Sequence, residues 1–302
     1  MQNYNLIQLK FNMQEEIIKC NDRVCFRESD HVYYLKDNPT KRLTSVTQVY
    51  SYYKQPFDKE FWSFYKALES FVLEFDDIKA SLLKFKTIDV SLLTKYDIDE
   101  EEFSKERQLF IDKWDENKDK SCIRGTNYHQ IQEDECRADA AAFAEKLGIG
   151  KGFVLGGSDI DLSLSKALYP EIILDRVSDD GIFMLAGQSD LVIVDDGYFD
   201  ICDYKTGSKI DMKAYYNRSK KSTKKMKYPL MATDDCNFMH YTLQLSTYAW
   251  MIEKRYPELK CRRLWLRHWD HDGNMAEIEC KYMKRHVEET LKHFKVHFLK
   301  NK

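Results

Sequence analysis

The chain has 302 residues, 43% of them hydrophobic and 32% charged, with 11 Gly, 5 Pro and a formal net charge of −3 at pH 7. This composition excludes a disordered or low-complexity protein and supplies core enough for one large domain or two modest ones. No run reaches the ~18 apolar residues of a membrane span, and "MQNYNLIQLKFNMQEE" lacks the basic-then-apolar order of a secretion signal. The eight cysteines, at 20, 25, 122, 136, 202, 236, 261 and 280, include no CxxC pair. Zinc and iron–sulfur sites therefore lack their usual spacing, and reduced thiols in a cytoplasmic protein are expected.

In chain order, "HVYYLKDNPTKRLTSVTQVYSYYK" predicts a short strand, a turn around Asn38-Pro39, and a helix capped by Thr44 or Ser45. Residues 58 to 120 are helical and polar in pattern, and a further helix accompanies "RGTNYHQIQEDE". From 171 the runs "EIILDRV", "IFMLAGQSDLVIV" and "YFDICDYK" read as strands separated by the hairpin signals "SDDG" and "DDG". A lysine-rich stretch follows, then a helix at about 239 to 254, a hairpin pivoting on "DHDGN", and an amphipathic helix from about 283. The expected fold is mixed α+β: a central mixed sheet with an antiparallel meander, flanked by helices. Residues 1–120 are expected to form a mostly helical elaboration on a core at 121–302.

The stretch "DICDYKTG" places an acid and a lysine two residues apart at the end of an apolar strand. A two-residue turn at Asp196-Gly197 sets Asp195 against Tyr198, so Asp190 falls across from Asp203. Their Cβ atoms would then lie about 4.5–5.5 Å apart on one face. Opposed buried carboxylates repel unless a hard cation lies between them. Lys205 leaves the strand on the same face as Asp203, and the Tyr204 carbonyl is a further oxygen ligand. Two carboxylates, a metal and an ammonium suit attack on a phosphodiester. A lone DxK is more often an ordinary pair of strand-end charges; the register is what raises it.

"GQSD" at 187–190 followed by "DYKTG" at 203–207 resembles the PD-(D/E)XK nuclease superfamily, in its RecB-like exonuclease branch. "RGTNYHQIQE" is similar to that branch's GTxxHxxxE helix and "LQLSTYAWMIE" to its QLxxY helix. "TSVTQVYSYYKQPFD" resembles the mitochondrial genome maintenance exonucleases and their phage relatives. The resemblance implies a restriction-endonuclease-like core with Asp190, Asp203 and His129 as metal ligands for Mg²⁺ or Mn²⁺. It implies Lys205 as the catalytic lysine, Gln244 orienting the lysine or the phosphate, and Tyr248 on the DNA side. Glu133 and Glu171 are further candidates by position. His129 and Glu133, like Gln244 and Tyr248, are spaced i, i+4 and share a helix face. The motif's usual Pro-Asp dipeptide is missing here.

Residues 209–228, "KIDMKAYYNRSKKSTKKMKY", carry eight basic residues against one acid. Lys209, Lys213, Arg218, Lys220, Lys221, Lys224 and Lys225, interleaved with tyrosines, are expected to track a single strand of DNA. A solvated lysine loop is the alternative. "GIGKGFVLGG" lacks the order of a phosphate-binding P-loop, so no nucleotide cofactor is expected. The sequence as a whole reads as a metal-dependent exonuclease on DNA with single-stranded ends, with roles in recombination or repair, such as in a phage, implied by the resemblance alone. The rivals are a structure-specific endonuclease on the same fold, a non-catalytic DNA-binding protein, and a metal-dependent phosphatase acting on small phosphate esters.

Overall fold

The computed structural model describes residues 18–157, 162–177, 181, 183–217 and 221–300. The chain opens with four strands, β1 (Ile18–Cys20), β2 (Val24–Arg27), β3 (Val32–Leu35) and β4 (Asn38–Arg42), paired in sequence order as a small antiparallel sheet. Asn38-Pro39, expected as a turn, opens β4 instead. Pro is tolerated there because it starts an exposed edge strand. Cys20 and Cys25 are register partners across β1–β2 and form a disulfide, which corrects the expectation that all thiols are reduced.

β5 (Thr44–Ser45) leads into α1 (Val46–Tyr53). Ser45 is the cap: its hydroxyl accepts the Gln48 N–H, and the Gln48 side chain returns a bond to the Ser45 N–H. Next come α2 (Lys59–Phe71), α3 (Asp76–Phe85), α4 (Ser91–Lys95) and the long α5 (Glu100–Ala138). Asp99 caps α5, and three glutamates occupy its first turn, where the helix dipole favours them. The boundary expected at residue 120 falls inside this helix. The aromatic faces of α2 and α5 share a core of Phe61, Phe64, Tyr65 and Phe103.

After α6 (Ala140–Lys146) and β6 (Val154–Leu155) the main sheet is built from β7 (Lys166–Val177), β8 (Met184–Asp195) and β9 (Tyr198–Thr206). A short ribbon, β10 (Tyr216–Asn217) and β11 (Ser222–Thr223), precedes α7 (Asn237–Arg255), β12 (Lys260–Trp269), β13 (Met275–Cys280) and α8 (Lys284–Lys300). The sheet order is β13-β12-β9-β8-β7-β6. β9 and β12 are parallel, joined through α7, and the β12–β13 turn is the expected one, with Asp270 Oδ1 accepting the N–H groups of Asp272 and Asn274. One face packs under α1, α7 and α8, the other under α5 and α6. This is the mixed α+β, restriction-endonuclease-like architecture expected from the sequence.

The β8–β9 hairpin has the predicted register, from Asp195↔Tyr198 to Leu191↔Cys202. It stops one pair short of Asp190 and Asp203. Further up the same edge of β8, Leu185 and Ala186 pair with β5. The edge of residues 187–190, "GQSD", is therefore left between two partners, and the functional site opens at that fork.

Candidate active site

Asp190 lies where β9 leaves β8, and its carboxylate replaces the lost ladder partner: Oδ2 accepts the Tyr204 N–H at 2.7 Å. On the other side of β8 the β7 register, with Pro170↔Leu191 and Ile172↔Ser189, sets Glu171 opposite Asp190. Glu171 has φ of 51°, the left-handed region, and the Gln188 side chain holds its carbonyl at 3.1 Å. α5 delivers His129 above both. Its Nδ1 is 3.6 Å from Asp190 and 3.7 Å from Glu171, and its Nε2 is 3.0 Å from the Tyr204 carbonyl.

Donor atoms of His129, Glu171 and Asp190 lie within 4.8 Å of one another. The Asp190 carboxylate outweighs burial and, helped by Glu171, raises the imidazole pKa to about 9. Glu171 Oε1 is buried with no hydrogen bond. If Nδ1 faces a cation, Nε2 carries the proton toward Tyr204 O, the usual arrangement of a metal-binding histidine. Two carboxylates, an orphaned oxygen and an oriented imidazole fit a hard divalent cation.

Asp203 is 1% exposed and its carboxylate pairs with the Lys205 ammonium. Burial pushes the Asp203 carboxyl above its ordinary range, while the Lys205 charge opposes. Burial would lower the Lys205 pKa, but Asp203 and Asp190 overcome it and hold the ammonium charged. Lys205 also donates to the Tyr204 carbonyl at 3.2 Å and lies 4.9 Å from the centre of the Tyr241 ring.

Several sequence expectations shift. Asp203 pairs with the lysine and stands outside the trio, because the ladder ends before Asp190 and Asp203 can face each other. The Tyr204 carbonyl faces His129 Nε2 at 3.0 Å and accepts from Lys205 at 3.2 Å. Glu133, 8% exposed, is committed to Lys19 at 3.1 Å and Arg137 at 2.9 Å. Glu171, a minor candidate in sequence, becomes a full member of the trio. Gln244 lines the adjoining cavity and donates to the Tyr248 hydroxyl at 3.0 Å. Tyr248 itself is 2% exposed and lines the same cavity as Gln244. The shared face of α7 residues 244 and 248 was legible from their spacing.

Of the basic segment, Lys209, Lys224 and Lys225 are paired with Asp211, Asp235 and Asp234 at 3.1, 3.0 and 2.6 Å. Lys213 and Lys221 make no ion pair among the described residues, and Arg218 and Lys220 lie outside them. Tyr215, Tyr216 and Tyr228 are exposed as expected. Sequence reasoning missed Lys19, Phe26, His31 and Tyr33 of the N-terminal sheet, which line a cavity with His129, Glu171 and Gln244. Nothing in their local pattern signals this, since only tertiary packing brings that sheet over the fork.

Fold and site define a nuclease. The chain belongs to the PD-(D/E)XK nuclease superfamily, whose model matches residues 90–293, and nucleases of this superfamily use divalent metal ions. No curated protein matches the chain. Among solved structures it is similar to SSO0001, with 16% identity and a TM-score of 0.30 over 57% of this chain and 60% of that one. It is also similar to a candidate exonuclease from Eubacterium rectale, with 13% identity and a TM-score of 0.28 over 43% and 42%. The chain thus spans less than two thirds of either protein, and neither likeness is close enough to bear on its activity.

Proposed function

We propose that the chain is a divalent-metal-dependent deoxyribonuclease of the RecB-like branch, an exonuclease degrading DNA from single-stranded ends, with Mg²⁺ or Mn²⁺ as cofactor. The observation carrying this is the convergence of His129, Glu171 and Asp190 beside the buried Asp203–Lys205 pair. His129, Glu171 and Asp190 would hold the ion, which supplies Lewis acidity toward the scissile phosphate and acidifies water.

The protein's own groups do the rest. Lys205, kept charged by two carboxylates and fixed by Asp203 and the Tyr204 carbonyl, donates to a non-bridging oxygen as negative charge builds there. A permanently protonated lysine does not serve as the base. The attacking water forms the new P–O bond, the old P–O bond breaks, and the water's proton passes by way of solvent to the leaving oxygen. Gln244, which donates to the Tyr248 hydroxyl, lines the cavity beside the trio and meets the incoming strand there. Exposed Lys213 and Lys221 track the phosphates upstream.

The test is digestion of a single-stranded oligonucleotide, labelled in turn at each end, with Mg²⁺, Mn²⁺ or EDTA, beside a covalently closed circle. Metal-dependent loss of the linear strand with the circle intact is the expected result. Cutting of the circle would establish the endonuclease instead. Binding without cleavage in any metal would leave a non-catalytic DNA-binding protein.

A further inference from the structure

A cavity of about 310 Å³ adjoins the metal-binding trio and extends under the N-terminal sheet. Its near end is formed by His129, Glu171, Gln188 and Gln244, with Tyr33 beside Glu171 and Gln188; Phe26 stacks on Tyr33, and His31 and Glu28 lie beyond it. Ligand sites start at roughly 300 Å³, so this one has room for a single nucleotide and none for a duplex.

The two ends differ in chemistry. Phe26 and Tyr33 are stacked with centroids 4.7 Å apart, and the exposed His31 ring stands 5.8 Å from Phe26. Aromatic side chains of this kind are platforms for bases. The Glu28 carboxylate repels a phosphate from that end and can accept a hydrogen bond from a base amino group. A phosphate is accommodated only at the near end, where a cation would offset the carboxylates.

The cavity is also closed along one side. Lys19 of β1 reaches across to Glu133 of α5 at 3.1 Å, tying the N-terminal sheet to the helix that carries His129. Both residues line the cavity.

We infer that this cavity receives the terminal nucleotide of the substrate strand, its base against Phe26 and His31 and its phosphate at the trio. The inference rests on the nuclease reading and deepens it: the N-terminal sheet makes the enzyme count from an end. His31 and Glu28 become specificity-determining residues, and Lys19–Glu133 becomes the stop.

Two measurements test this, one independent of cleavage. The first is binding of deoxyadenosine 5′-monophosphate and its 3′-phosphate isomer to the intact protein, with and without Mg²⁺, compared with His31→Asn. Asn tolerates the left-handed backbone that His31 adopts at φ of 53°, so the variant removes the ring without straining the turn. Saturable binding of one isomer, weakened about tenfold in the variant as the loss of one stacking partner predicts, supports the inference. No mononucleotide binding, or equal binding by both proteins, overturns it. The second compares oligonucleotides carrying a bulky biotin arm on the terminal base or on an internal base. Blocked digestion at the modified terminus, relieved in Lys19→Ala, is expected. Unimpeded digestion there overturns the inference while leaving the nuclease intact. If the unmodified oligonucleotide resists every metal, the nuclease reading fails, and mononucleotide binding still decides the cavity's role.

Discussion

A Cβ placed on Gly187 would lie 2.6 Å from Cε1 of Tyr248 and 3.2 Å from both its hydroxyl and Val46 Cγ2. The glycine of "GQSD" is there because the ring from α7 needs the space. Gly187→Ala must displace Tyr248, and with it Gln244, at an overpacking cost of about 1–3 kcal/mol. A lowered unfolding midpoint together with impaired cleavage is the expected outcome. An unchanged melting curve would mean the ring moves freely and does not anchor Gln244.

Lys205→Ala and Asp203→Ala should each reduce cleavage by about a hundredfold or more, the scale of losing one preorganised charge at a developing oxyanion. Binding of DNA should survive nearly intact, because neither side chain is exposed enough to carry much affinity. Single-turnover digestion alongside filter binding separates the two effects. Retained cleavage in either variant would remove the mechanism.

Asp235 fastens three separate segments. It accepts the Gln55 N–H at 3.0 Å, the Lys224 ammonium at 3.0 Å and His240 Nε2 at 2.6 Å. Burial raises its carboxyl, but the Gln55 N–H and the Lys224 contact outweigh it, and the pKa ends below the ordinary value. A folded-state pKa below the unfolded one contributes stability that is present above the unfolded value, about 3.9, and is lost as pH falls through the folded one. Asp235→Ala should cost about 1–3 kcal/mol near neutrality. The gap between variant and parent in urea melts should close on acidification below pH 4.

Salt dependence of DNA binding reports how many lysines meet phosphates. Five engaged charges would give a log–log slope of about −3.5, at about −0.7 per phosphate on a single strand. Three lysines of the segment are already paired with aspartates, so Lys213 and Lys221 should contribute only about −1.4 between them. Replacing both by alanine should flatten the slope by that amount. No change would place the DNA path elsewhere.

The hairpin that creates the site was legible because Asp196-Gly197 fixes the register through local turn chemistry alone. The left-handed φ values at both residues, 47° and 85°, bear this out. The helix at 237–255, expected at about 239 to 254, and a helix cap at Thr44 or Ser45 were legible for the same local reason. Three features were not. The end of the β8–β9 ladder depends on β5 claiming the other stretch of the same edge. The burial of Tyr248 depends on which side of α7 meets Gly187. The roof of the cavity depends on Asn21, whose amide donates to Ile173 O at 3.1 Å and so docks residues 152 positions apart in sequence. Periodicity carries no such long-range information.

Glu171 sets thermodynamic durability against turnover. A glutamate held at φ of 51° costs roughly 1–2 kcal/mol against a relaxed backbone, and it places a second carboxylate opposite Asp190. Glycine would occupy that backbone without strain and remove the repulsion. Glu171→Gly should therefore unfold at a higher denaturant concentration than the parent while losing metal binding, read by calorimetry with Mn²⁺. Most inactivating changes in a buried site weaken the fold. Here the dead variant should be the sturdier one, and a screen that selects survivors of heating would enrich it.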